Sequence, residues 1–263
     1  MPNEILIRLP VFLIAFVLFA GLEALAPRRG RVQPRAGRWF TNLSITVLNT
    51  LSLRAMAIAL PFLAIGAAVD AWSQGWGLFN HLNWPLWQEL VLAVLALDFA
   101  IWLQHLITHK VPLFWRFHRV HHADRDMDVT TALRFHPVEI AASMLVKIGL
   151  VYLVGPQAIA VLLFEVILNG SALFNHANLA LPRWIDAPLR LILVTPDMHR
   201  VHHSVIRAEH DSNYGFALSV WDRIFRTYRA QPAAGHDAMV VGLQWQDERP
   251  TKLGWSLWLP FRR

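Results

Sequence analysis

Histidine is the residue type through which this chain could do chemistry. Thirteen are present, and eight fall in three windows: His105 and His109; His118, His121 and His122; His199, His202 and His203. The pentapeptide His-Arg-Val-His-His occurs twice, at 118–122 and at 199–203. Residues three and four apart share a helical face. His105 and His109 therefore point the same way, His118 shares one arc with His121 and His122, and the second pentapeptide repeats that arc. One such pair is more often a surface or satisfied core feature; three matching windows argue for convergent ligands. Eight imidazoles exceed what one ion can use, whereas two ions with four or five nitrogen ligands each would account for them. The chain has no cysteine, which excludes disulfides, thiolate metal sites and cysteine nucleophiles. Any metal must be held by imidazole or carboxylate.

The elements that would position these residues are apolar. Of the 263 residues, 55% are hydrophobic and 16% charged, against an ordinary charged share of about 25%. A first run, Ile5 to Ala26, is long enough to span a bilayer, which takes about 20 residues. Ala24-Leu25-Ala26 resembles a signal-peptide cleavage site. However, Pro27 follows it directly and the positive charge comes after the run, so a retained span is the better reading. Arg28, Arg29, Arg31, Arg35 and Arg38 come next. A second apolar stretch, Leu43 to Val69, is interrupted by Arg54 and Pro61. The connection from Asp70 to Pro85 has no lysine or arginine, and a third run extends from Leu86 to Ile107. The arginine bias places the Arg28–Arg38 loop in the cytoplasm and the Asp70–Pro85 loop outside. All three histidine windows then fall on the cytoplasmic side, just at the membrane face.

Ile140–Val154 and Gln157–Phe174, split by Gly155-Pro156, read as a helical hairpin, each arm short for a full crossing. No strand-like alternation stands out. The expected fold is an all-α integral membrane protein with about three spanning helices plus a hairpin and a cytosolic histidine-rich cap. The expected regions are an N-terminal transmembrane part (1–85), a catalytic part (86–230) and an interfacial C-terminal tail (231–263). That tail carries Trp255, Trp258, Phe261, Arg262 and Arg263. The net charge of +6 would permit nucleic-acid binding. Because the arginines and twelve tryptophans lie beside apolar spans, an anionic membrane surface is the expected partner and nucleic acid is not.

Further residues attach to the site by spacing. Asp98, Trp102, His105 and His109 form one helical stripe. An aspartate inside an apolar span is a functional candidate, expected here to bond the outer nitrogen of a ligand histidine. Glu165, Asn169, Ala172 and His176 repeat that stripe, making His176 a ninth ligand and Glu165 either a ligand or a support. His136 is balanced between ligand and structural roles. His81, His210 and His236 read as surface or loop residues.

The ordered motifs resemble the fatty acid hydroxylase and sterol desaturase superfamily over roughly Leu86 to Tyr228. The likeness rests on His105-x-x-x-His109, His118-x-x-His121-His122 and His199-x-x-His202-His203. Two further pieces match, Arg134-Phe135-His136-Pro137 and Asn213-Tyr214-Gly215-Phe216 leading into Trp221-Asp222-Arg223-Ile224-Phe225. The resemblance implies two iron ions, which zinc can replace on purification, held by the eight histidines, with His176 as the family's isolated histidine and Asn213 as a further ligand or supporting group. It implies O₂-dependent hydroxylation, desaturation or ether cleavage of a sterol, fatty acyl or alkylglycerol lipid drawn from the bilayer. It also implies a separate redox donor, since no haem module is fused here. The three intervening residues of the first window are those of the sterol-oxidising and alkylglycerol-cleaving branches. Composition and size fit a bacterial inner membrane. The rival readings are a membrane zinc carrier or sensor, a structural protein with an inert metal, and a zinc hydrolase; the last lacks a His-Glu-x-x-His pattern.

Overall fold

The structure, a computed structural model, describes residues 4–262. These are helical wherever they are regular, and the only β contacts among them are three isolated bridges. In chain order the principal helices are α1 (Ile5–Leu25), α2 (Arg35–Ala59), α3 (Ala64–Gln74), α4 (Leu86–Lys110) and α5 (Pro112–His122). These are followed by α6 (Pro137–Val154), α7 (Ala158–His176), α8 (Arg183–Leu189) and α9 (Pro196–His202), then by single turns. Five stretches are long and apolar enough to cross a membrane: α1, the α2–α3 stretch, α4, α6 and α7. The chain is an integral membrane protein by this measure.

These five are the three expected spans and the two arms of the expected hairpin, but the arms, which read as short for a full crossing, are long enough to cross, for a physical reason. Polar residues at the helix ends are still helical. Pro137 to Glu139 and Asn175-His176 extend the hairpin arms to 18 and 19 residues, about 27 Å at 1.5 Å per residue. The hairpin tip also reaches the far end of the bundle. Gly155 has φ +69° and lies so close to the α3–α4 connection that a Cβ there would come within 2.6 Å of the Trp76 carbonyl. Likewise α2 starts at Arg35 rather than Leu43, because its buried Arg38, Thr41 and Asn42 face protein instead of lipid. It ends at Ala59, just before Pro61, whose missing N–H and fixed φ stop the helix.

The ends of α1, α4 and α7 and the starts of α2 and α6 meet on one side, under a cap built from the α5 region and the chain after α7. The joint is polar and buried. Arg38 pairs with Asp124 (2.7 Å) and Asp128 (2.6 Å), and Asn42 donates to Asp124 at 3.0 Å. Arg134 donates to the Val120 and Pro250 carbonyls, both at 2.8 Å, and to Asn42 Oδ1 and Ser256 Oγ, both at 2.7 Å. Glu23, at the end of α1, accepts from the amides of Val129 (3.0 Å) and Asn178 (3.1 Å). The C-terminal tail is less interfacial than its composition suggests. Trp255 and Leu259 are buried in a core with Ile45, Val120 and Leu243, which leaves Trp258 and Phe261 exposed; Arg263 lies outside the described residues.

Glu165 belongs to the bundle. It accepts from Lys147 of α6 at 2.8 Å and pairs with Arg8 of α1 at 3.0 Å, so it joins three helices and touches no histidine. Removing one member of a buried ion pair strands the other, at about 3–5 kcal/mol. Glu165→Ala should therefore lower the unfolding temperature in detergent markedly while leaving metal per folded chain unchanged. Elemental analysis of the folded fraction decides this; a matching loss of metal would make Glu165 part of the site.

Candidate metal centre

Four helices deliver nine imidazoles to one place. The last two turns of α4 carry His105 and His109. Proline at the first position opens both α5 and α9, where its missing N–H costs nothing. The first of these helices presents His118, His121 and His122; the second presents His199 and His202, with His203 just past its end. His176 closes α7. All nine are buried. The two identical pentapeptides differ in what holds their arginines: Arg119 donates to the Leu259 and Arg262 carbonyls, both at 2.6 Å, whereas buried Arg200 pairs with Asp197.

The rings form two groups. His105, His109, His118, His122 and His202 can bring one nitrogen each within 4.8 Å of one another, and so can His121, His176, His199 and His203. The groups abut: His122 stacks on His203 with ring centroids 4.6 Å apart, and His199 on His202 at 5.0 Å. No carboxylate joins either group. An alternative grouping of His109 with His210 and Asp211 competes for His109, and its carboxylate is engaged by Lys110 at 2.9 Å.

Hydrogen bonds on the outer nitrogens show what the inner ones can do. His105 Nδ1 donates to the Tyr214 carbonyl, His202 Nδ1 to the Ser212 carbonyl and His176 Nδ1 to the Ala172 carbonyl, each at 2.7 Å. His118 Nδ1 donates to Glu139 Oε1 at 2.6 Å. A neutral ring that donates through Nδ1 has a bare lone pair on Nε2. Yet the Nε2 atoms of His105 and His118 lie 3.1 Å apart, and His176 Nε2 lies 3.1 Å from the Nε2 atoms of both His121 and His199. Both nitrogens of His109, His122 and His203 lack a hydrogen-bond partner among the described residues, as does His202 Nε2. The lone pairs of His105 and His118, aimed at one another in a buried space, are unfavourable unless a cation lies between them, and the single lone pair of His176 Nε2 can pair with only one of its two neighbours. Burial, reinforced by neighbouring rings, pushes His121, His122, His199, His202 and His203 well below the ordinary histidine value. This keeps them in the neutral, ligating form. The two groups thus fit metal ions, and these buried clusters could hold them.

A loop after α9 sets the outer bonds. Asn213 adopts φ +54° and is held by the Met198 and Arg229 carbonyls at 2.9 and 2.8 Å. Its neighbours Ser212 and Tyr214 supply the carbonyls for His202 and His105, so Asn213 fixes acceptors rather than reaching the rings. Asp222 organises the far side of the loop, accepting from the Tyr214 and Gly215 amides at 2.9 Å, Trp102 Nε1 at 3.0 Å and Thr227 Oγ1 at 2.6 Å. Burial pushes its carboxyl up despite these donors. A Cβ on Gly215 would come within 2.6 Å of the Leu218 carbonyl, so only glycine lets the loop close this tightly.

Asp98 does not touch a ligand ring as expected. It accepts from Trp221 Nε1 at 2.8 Å, one helical turn from where Trp102 binds Asp222, and the two tryptophan–aspartate pairs clamp α4 to the loop. His136 is structural: its Nδ1 accepts from Val138 N at the start of α6, and its Nε2 meets the Leu257 carbonyl, each at 3.2 Å. Expected as surface or loop residues, His210 and His236 are both buried. His210 stacks on Trp115 and His236 sits beside Asp197. Helical spacing does not mark the supports Glu139 and Asp222. An acid in the first turn of a proline-opened helix and one beside the loop tryptophan were the available signals.

A chamber of about 220 Å³ adjoins the larger group at His105 and His118. Its walls mix Phe135, Leu168 and Phe216 with the polar Asn49, Gln104 and Asn169.

Several known proteins are similar to this chain. The rhizobial ornithine lipid hydroxylase OlsE (Rhizobium tropici) is 29% identical over 228 residues, covering 84% of this chain and 67% of that protein. Human alkylglycerol monooxygenase is 30% identical over 220 residues, 82% of this chain and 45% of the human one. A zebrafish (Danio rerio) cholesterol 25-hydroxylase-like protein is 28% identical over 145 residues, 53% of this chain and 55% of its own. The chain thus spans about two thirds of the first relative and under half of the second. No solved structure matches. The fatty acid hydroxylase family model matches residues 90–227, just over half of the chain and all nine clustered histidines, and the chain therefore belongs to the fatty acid hydroxylase family.

Proposed function

We propose that this protein is an O₂-dependent di-iron membrane oxygenase that hydroxylates, desaturates or oxidatively cleaves a lipid. The observation that carries this reading is the pair of abutting, carboxylate-free histidine groups with a chamber opening onto one of them. A structural metal would need no chamber, because structural sites are closed and catalytic ones keep an open position. A carrier would place ligands near the middle of crossing helices, whereas these sit at the helix ends. The relatives' names, a lipid hydroxylase and an alkylglycerol monooxygenase, point the same way.

Two iron ions would be held by the nine histidines, His105, His109, His118, His122 and His202 around one and His121, His176, His199 and His203 around the other. When bound, iron supplies reductive activation of O₂ and oxidation of a lipid C–H bond. For hydroxylation the balance is one C–H, one O₂, two electrons and two protons, giving C–OH and water; the electrons come from a separate redox donor. The chain's own residues fix geometry and exclude water. The Tyr214, Ser212 and Ala172 carbonyls and Glu139 orient four rings, holding their protons on Nδ1. Phe135, stacked on His121 at 4.2 Å, and Phe216 shield the chamber. The arginines between α1 and α2 favour a cytoplasmic position for the cap, in a bacterial inner membrane.

Anaerobic iron loading followed by elemental analysis and Mössbauer spectroscopy tests the reading. Two irons per chain that oxidise together on O₂ are expected. His121→Ala and His202→Ala, one from each group, should abolish both occupancy and turnover. Full turnover with either ring gone, or zinc alone after iron loading, would end the proposal.

Acid should release the metal. The rings of His121, His122, His199, His202 and His203, held well below the ordinary value, stay neutral when folded but take protons near 6.5 when unfolded, so below that pH the unfolded chain binds more protons. The stability from neutral histidines is complete above about 6.5 and declines as pH falls toward the depressed folded values. Protons also compete with metal for the same nitrogens. Iron retention and unfolding temperature, measured on desalted samples stepped down in pH, should fall together below about 6.5. Retention unchanged down to about pH 4 would contradict the neutral-imidazole site.

A further inference from the structure

A second cavity lies beside the chamber. It is a cleft of about 500 Å³ between α4, α5 and α6, within the 300–1,000 Å³ range of ligand sites. Leu103, Ile107, Phe114, Phe117, Val146 and Leu150 line it. Several of these lie on outward faces, with Leu103, Phe114 and Val146 exposed, so the cleft opens sideways toward the hydrocarbon of the membrane. It runs from the cap end, at Phe117 and Glu139, down α6 to Leu150. Chamber and cleft share four residues: Gln104, Thr108, Glu139 and Ser143.

This seam is the polar part of an otherwise apolar path. Ser143 Oγ donates to Gln104 Oε1 at 3.3 Å. Thr108 Oγ1 is turned back to the His105 carbonyl at 2.7 Å. Glu139 gives one oxygen to His118, and its other oxygen, Oε2, is buried without a partner among the described residues. Its side chain is 10% exposed. A buried acceptor left unpaired is unfavourable, so Glu139 Oε2 is suited to a hydroxyl or N–H donor brought in by a ligand. A carboxylate there would meet like charge.

Resting on the oxygenase reading above, we infer that the lipid lies with one hydrocarbon tail in the lateral cleft and a hydrogen-bond-donating, uncharged or cationic polar group at the Gln104–Glu139–Ser143 seam, so that oxidation falls at a carbon close to that polar group and not at the tail end. Leaflet geometry agrees. The histidines lie at the end of the bundle where headgroups would be, and the cleft descends from them toward the middle of the bundle. A lipid of the adjoining leaflet enters without inversion, tail toward the midplane and polar end toward His105 and His118. Free fatty acids are disfavoured by Glu139, and bare hydrocarbons leave its oxygen unpaired.

Two photolabile 1-O-hexadecylglycerol probes test the placement on iron-loaded protein in nanodiscs, without turnover. One carries a diazirine at the tail end and the other a diazirine beside the ether oxygen. The tail probe should label the cleft, around Leu103 and Val146–Leu150, and the ether probe the chamber, around Phe135, Ile140 and Phe216. Unlabelled hexadecylglycerol should compete at about tenfold lower concentration than palmitate, and Glu139→Gln should narrow that gap. Reversed labelling, labelling of neither cavity, or palmitate competing as well as hexadecylglycerol would overturn the inference. The oxygenase reading fails separately. Correct labelling with no O₂-dependent product would sustain the placement and remove the reaction.

Discussion

Nine imidazoles buried together, with no carboxylate among them, impose the constraint on which the rest of this structure depends. Each ring must remain neutral and must aim a lone pair inward, so something else must fix its other nitrogen. In four rings that group is visible: the carbonyls of Tyr214, Ser212 and Ala172, and Glu139. Backbone carbonyls suit this task because their positions are set by the fold rather than by a rotamer. The left-handed turn at Asn213 lets successive parts of one loop serve rings from α4 and α9. Asp222 and Gly215 then hold that loop in place. The orientation of these rings therefore depends on a segment that contributes none of the nine.

The same constraint explains why the cap is joined to the bundle through buried charge. A purely apolar seam between the membrane helices and the cap would allow rotation or sliding, because dispersion is nearly indifferent to register. The Arg38–Asp124–Asp128 cluster is directional, and both acids lie within a few residues after His122. Arg134 extends the cluster to the C-terminal tail through Pro250 and Ser256. Such ion pairs contribute little net stability against an apolar alternative. Their effect here is to fix the angle at which α5 offers its three histidines, which apolar contact alone would leave loose.

Much of the site was legible because helical periodicity is a short-range property. His105 with His109, and each His-x-x-His-His, share a face whatever the tertiary fold, and the stripe ending at His176 points to the same place. What the stripes cannot give is the neighbour across the gap. Asp98 and Glu165 lie on the correct faces two turns or more from a clustered histidine, yet at that depth they meet Trp221 and Lys147. The helix lengths are understated for a related reason. Hydropathy records which residues prefer lipid, and the polar ends of α2, α6 and α7 prefer the cap, so the apolar runs understate helix length. Glu139 was hidden by the same rule, as a polar residue at a helix start whose partner, His118, belongs to another helix.

The polarity of the walls around the centre follows from its place at the helix ends. A metal site in the middle of the bundle would be reached only through hydrocarbon-lined space, and one within the cap only through solvent. At the joint, α4 and α6 pass from apolar side chains at Leu103 and Val146 to polar ones at Gln104 and Ser143 within a single residue or turn. On the other side, His109 borders a further cavity of about 210 Å³ with Trp115, Arg119 and Arg207. The rings are therefore flanked by an apolar cleft on the side of α4 and α6 and by a polar cavity carrying two arginines on the side of the cap. Under the oxygenase reading proposed above, a lipid tail and a charged redox partner would reach the same few ångströms without sharing an entrance. That separation requires the ligands to come from helix ends and cap together, which is how the three histidine windows are distributed along the chain.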